Sequence, residues 1–252
     1  MDETPDDQDD QDDQDGRNEQ DDHLHHHRDL GGGQARAAVF GMSDGLVSNM
    51  ALILGVAGAD ASSSFVRVAG LAGMVAGAVS MAAGEYVSMK AQQELLEREL
   101  ALERAELERN PQLEAEELGR LYESRGMGPE EAKLLSEHVM SEPGLALEVH
   151  VREELGIDPQ SLGSPIGAAS WSFVAFTFGA LIPLVPWFFT TGGGAVVASL
   201  VLGMLAAGLV GGLLGYLTER SVVWGALRQM AITAGAAATT WLIGNAVGVD
   251  IS

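Results

Sequence analysis

The sequence predicts an all-α, polytopic membrane protein of five spanning helices, with a Glu-rich helical insert between the second and third. Two observations carry that expectation. The first is five apolar runs, at about 37–59, 65–89, 165–190, 194–217 and 222–247. Each is long enough for a hydrocarbon core, which takes about 20 residues. The second is the placement of charge: 30 of the 36 acidic residues fall in two polar stretches outside those runs. Residues 1–30 hold 13 acids against two arginines, and residues 91–157 hold 17 Glu and no Asp against seven Arg or Lys. Those stretches carry −11 and −10 of the net −22. Nucleic acid is not expected as a partner, because phosphate neutralisation needs a basic face and none is visible. With no Cys, thiolate metal sites and disulfides are excluded, so a metal must be held by oxygen, imidazole or Met sulfur. The N-terminus is acidic and lacks both a basic leader and an early apolar core. Span 1 is therefore expected to act as its own uncleaved insertion signal.

In chain order, residues 1–33 read as a disordered tail: Asp-Asp-Gln blocks repeat, no apolar period appears, and Gly31-Gly32-Gly33 closes the segment. The tail carries His23, His25, His26 and His27, which either capture divalent metal weakly or are simply solvated. Residues 34–90 form spans 1 and 2, joined by the short polar link Asp60-Ala-Ser-Ser-Ser64. No Gly or Pro follows span 2 until Pro111, and 91–108 is built of strong helix formers. One helix of about 45 residues should therefore leave the bilayer unbroken, about 65 Å long.

Residues 91–157 form the insert. Three shorter helices are expected at about 112–125, 129–141 and 144–155, separated by Gly126-Met-Gly-Pro129 and Glu142-Pro143-Gly144. Residues 158–252 form spans 3 to 5. Span 3 should kink at Pro183 and Pro186, and span 5 carries Arg228 near its start. Arg36, Lys90, the seven bases of the insert, Arg220 and Arg228 fall on one side of a five-span topology, with only Arg67 on the other. The positive-inside rule then makes the N-terminus and insert cytosolic and leaves the C-terminus outside.

Asp44 lies inside the first apolar run. A carboxylate at a helix centre costs about 3 kcal/mol on insertion scales, so it is retained for an ion, a proton or a buried partner such as Arg228. Met74, Met81 and Glu85 follow spacings of 7 and 4 and share a face of span 2. The functional reading is a cation path lined by Asp44, Met81 and Glu85, with sulfur favouring a transition metal. The bland reading makes the methionines core filler and puts Glu85 at headgroup level. Gly70, Gly73, Gly77 and Gly84 suit close helix or dimer packing.

In the insert, Glu99, Glu103 and Glu106 project from one face, as do Glu114 and Glu117. Two such helices can surround a cation with oxygen ligands, or simply present solvated faces with Glu–Arg pairs. His150 stands close to Glu148 and Glu154 in sequence and reads equally as a ligand or a surface residue; His138 reads as surface. Neither His has Glu three residues before it, so the Glu-x-x-His element of ferritin-like di-iron oxidases is absent. The expectation is of a protein that is not an enzyme.

The combination of Gly41-Met-Ser-Asp-Gly-Leu46, Val75-Ala-Gly-Ala-Val-Ser-Met-Ala-Ala-Gly-Glu-Tyr86 and Pro111-Gln-Leu-Glu-Ala-Glu-Glu-Leu118 resembles the vacuolar iron transporter family over about 36–250. The resemblance implies export of Fe²⁺, often also Mn²⁺, from the cytosol in exchange for protons. It also implies a homodimer of five-span subunits, in a cell or vacuolar membrane, with no prosthetic group. By position, Asp44 is similar to the family's transport carboxylate and Met81 to its metal-contacting sulfur. Glu103, Glu106, Glu114, Glu117 and Glu154 are similar to its cytosolic ligands. Two departures stand out: some members have Glu where this chain has Gly73, and a Met pair where it has His150 and Val151. A membrane-anchored metal buffer or sensor, in which nothing crosses, is the rival reading.

Overall fold

A computed structural model describes residues 33–154, 156 and 163–249. The acidic, His-bearing tail lies outside the described residues. All regular structure among the described residues is helical: α1 (Gly33–Gly58), α2 (Ser63–Arg109), α3 (Pro111–Ser124), α4 (Pro129–Met140), α5 (Pro143–Glu154), α6 (Pro165–Leu184), α7 (Pro186–Phe189), α8 (Gly192–Leu217) and α9 (Val222–Val249). Five of these, α1, α2, α6, α8 and α9, are long and apolar enough to cross a membrane.

The boundaries follow the chain's breakers. Ser62 caps α2 by accepting the Phe65 amide at 3.4 Å, and Ser164 caps α6 by accepting that of Gly167 at 3.1 Å. Both satisfy donors that have no partner within the helix. With no breaker before Asn110, α2 runs 47 residues without interruption. Pro111, Pro129, Pro143 and Pro165 each occupy a first helical position, where a missing amide costs nothing. Gly126 takes φ +98°, the left-handed cap that lets the chain turn from α3 into α4. Pro186 ends α6 at Leu184, and the chain restarts as the single turn α7, so the expected kink is a break at Val185.

Helix α1 is the centre of the membrane half. It packs most extensively on α6, then on α9, and also touches α2 and α8. Its contact with α9 is backbone on backbone: a side chain at Gly244 would meet the Gly55 carbonyl, with the Ala59 amide 3.3 Å away. At the end away from the insert, Trp187 of α7 closes the bundle against Ile53, Val66, Leu184 and Ala195. Gly70, Gly73 and Gly77 of α2 face Leu184, Leu52 and Phe176 of the same chain, so they serve packing within the subunit; Gly84 meets nothing. The insert is a small bundle of its own, with α3 against α4, α5 against α4, and the distal end of α2 against α3 and α5.

Candidate metal sites

Leu118, Val139 and Ala146 are buried at the centre of the insert, ringed by Leu107, Leu121, Tyr122, Leu135, Met140, Leu145 and Val149. This core docks the three short helices on the end of α2. Docking turns Glu103 of α2, Glu114 of α3 and His150 of α5 inward, at 6%, 6% and 0% exposure. One donor atom from each lies within 4.8 Å of the other two. His150 Nδ1 stands 2.8 Å from the Ala146 carbonyl, which only accepts. This is the shorter of the two ring contacts, so with the proton on Nδ1 the Nε2 lone pair is the one that could take a metal, the arrangement by which a second contact orients a metal-binding imidazole. Nε2 lies 3.5 Å from the Glu114 carbonyl.

Two carboxylates and one imidazole converging from three helices fit a divalent cation of borderline hardness. Bonds of about 2.1 Å need donors about 3–4 Å apart, a small side-chain adjustment from this geometry. An ion pair between Arg125 and Glu153 ties the end of α3 to α5. Burial pushes the neighbouring Tyr122 hydroxyl up from its ordinary pKa, and Glu153 adds to that while Arg125 opposes it.

Among the other expected ligands, Glu106 and Glu117 are exposed and stand outside this trio, and Glu117 pairs with Arg120 at 3.7 Å. Glu99 is half-buried. Glu154 closes α5, but its side chain lies outside the described ones. His138 is exposed, as expected. His150, left open between ligand and surface residue, is fully buried among carboxylates.

In the membrane half, Asp44 is half-buried, and its Oδ1 accepts a hydrogen bond from Ser48 Oγ, one turn along α1, at 2.7 Å. Arg228 forms no ion pair with it among the described residues, so the structural alternative of an Asp44–Arg228 bridge is not what this fold contains. The preceding residue, Ser43, accepts from Gln229 Nε2 of α9 at 2.7 Å. Met81 and Met74 pack together against Ala78, Phe176 and Ala180. Glu85 bonds Arg36 at 3.2 Å, which ties the start of α1 to α2 at the end nearest the insert; the Glu85 side chain is 16% exposed and that of Arg36 is 67%. Ser48, Asn49 and Gln229 were not singled out by sequence; their one signal is polarity inside apolar runs.

A sequence model of the VIT family matches residues 35–245. The chain is 34% identical over 213 residues to "Vacuolar iron transporter 1" of Eucalyptus grandis, covering 84% of this chain and 86% of that protein. It is 38% identical over 213 residues to a vacuolar iron transporter of Acanthamoeba castellanii, with 81% and 77% covered. It is 31% identical over 228 residues to "Vacuolar iron transporter 1" of Arabidopsis thaliana, with 89% and 91% covered.

Proposed function

This integral membrane protein belongs to the VIT family, and from that premise we propose that it moves Fe²⁺, and Mn²⁺ as a second cargo, out of the cytosol in exchange for protons. The observation that carries the proposal is the buried convergence of Glu103, Glu114 and His150 at the far end of a helix whose membrane half holds Met81. A solvated acidic surface has no reason to bury two carboxylates around an imidazole, because buried charge is costly unless it is compensated.

In this reading the insert lies in the cytosol, on the side that the Arg and Lys distribution favours. Glu103 and Glu114 bring oxygen and His150 nitrogen, a mixed set suited to Fe²⁺ and Mn²⁺ and poor for Mg²⁺. Glu106 and Glu117, exposed on the same helices, raise the local cation concentration, and Glu154 is a further ligand of the insert. Within the membrane, Asp44 exchanges cation for proton. Ser48 holds one of its oxygens, leaving Oδ2 for the ion, and Met81 offers a soft contact. Glu85, held by Arg36, marks the cytosolic mouth. The working unit is a homodimer in lipid, and the metal is cargo, not a prosthetic group.

Purified protein sealed in vesicles tests this against a set of Fe²⁺, Mn²⁺, Zn²⁺ and Ca²⁺, with a pH dye reporting counter-flow. Fe²⁺ and Mn²⁺ should enter as protons leave. Metal bound without uptake would return the protein to a membrane-anchored buffer or sensor.

A further inference from the structure

Asn49 lies on α1, five residues beyond Asp44, and is 2% exposed. Its Nδ2 donates to the Ala180 carbonyl of α6 at 2.7 Å, which fixes the plane of the amide. The other end of the amide, Oδ1, is buried, and no donor among the described residues reaches it. It looks toward Gly73 of α2: a methyl carbon built on that glycine would stand 3.3 Å from Oδ1 and collide with Leu52. At Gly73, α2 presents no side chain to this oxygen.

A buried carbonyl without a donor costs about 1–3 kcal/mol. Inside a membrane span there is no bulk water to compensate. An aliphatic side chain of similar volume would pack there at no such cost. An oxygen in this place suits a partner that is not a side chain of this subunit, and amide carbonyls are good ligands for divalent cations and for the waters those cations retain. Five residues advance the helix about 7.5 Å and turn it about 140°. Asn49 therefore stands on a different face of α1 from Asp44, in the seam where α1, α2 and α6 meet.

We infer that Asn49 Oδ1 is an oxygen contact for a partly hydrated divalent cation crossing between α1 and α2 at Gly73, one step beyond Asp44. This rests on the transport reading above. The probe is Mn²⁺, with the full chain in sealed vesicles and variants Asn49→Leu and Asn49→Asp. Asn49→Leu keeps the volume and removes both polar atoms. It should insert, melt no lower than wild type and lose at least tenfold in Mn²⁺ uptake. Asn49→Asp, which restores an oxygen, should recover most of that loss. Wild-type uptake by a stable Asn49→Leu protein would overturn the inference, and so would equal loss in both variants. If wild type itself moves no Mn²⁺, the transport reading fails, and the site is then read by Mn²⁺ titration in detergent on a Glu103→Gln, Glu114→Gln background. Weaker binding after adding Asn49→Leu to that background would keep the contact; identical binding would remove it.

Discussion

Replacing Glu114 by Gln should make the metal-free protein no less stable while removing the insert's response to metal. The perturbation is nearly isosteric and removes one charge from a buried trio whose donor atoms lie within 4.8 Å of one another. With both carboxylates ionised and an effective dielectric constant of about 20, Glu103 and Glu114 would repel by about 3.5 kcal/mol at that separation. A divalent cation bound among them would relieve this repulsion. Saturating a site at one hundred times its Kd stabilises the folded state by about 2.7 kcal/mol.

The assay is unfolding of the full-length protein in detergent, followed by circular dichroism with chelator or with Mn²⁺. Wild type should gain that full increment when Mn²⁺ is raised to the saturating level, whereas Glu114→Gln should lose the insert's share of it and keep only what binding within the membrane half contributes. In chelator, Glu114→Gln should equal or exceed wild type. If it falls more than about 1 kcal/mol below wild type in chelator and still gains the full increment from Mn²⁺, the carboxylate is structural and the reasoning is refuted, since about 1 kcal/mol is what a lost structural hydrogen bond costs.

Three other expectations follow from the same geometry. Asp44→Asn should give a folded, inserted protein that binds metal in the insert but moves none across vesicles; wild-type flux from a stable variant would sink the transport role of Asp44. Single cysteines should be labelled from outside at Ser252→Cys and not at Gln112→Cys, because the basic residues lie on the insert side; outside labelling at Gln112→Cys would end the proposed orientation. Gly244→Ala puts a methyl group against the Gly55 carbonyl and should cost about 1–3 kcal/mol or more by overpacking, read as a lower melting temperature in detergent.

The architecture was largely legible because its signals are local. Five uncharged or nearly uncharged runs, prolines at first helical positions and an unbroken stretch of helix formers after Met89 each act over a few residues. The site was legible only in part. In a helix such as 91–108, Glu falls on several faces, so periodicity alone does not tell which carboxylate turns inward. The choice of Glu103 over Glu106 is made by how α3 and α5 dock on the end of α2, a contact between segments far apart in sequence. His150 was ambiguous for the same reason, since its burial depends on the Leu118–Val139–Ala146 core. Ser48 and Asn49 carry only weak signals, because a single hydroxyl or amide inside an apolar run is compatible with many roles until its partners are known.

The unbroken α2 has a mechanical consequence. Met81 and Glu103 ride on one rod. At the helical rise of about 1.5 Å per residue they stand about 33 Å apart. Over that length, tilting the membrane half by about 10° would swing Glu103 by about 6 Å. Such a swing exceeds the spread of the whole Glu103–Glu114–His150 cluster. The grip of the insert on an ion and the packing of α2 against α1 and α6 are therefore set by the same lever, and neither end can shift its angle without dragging the other.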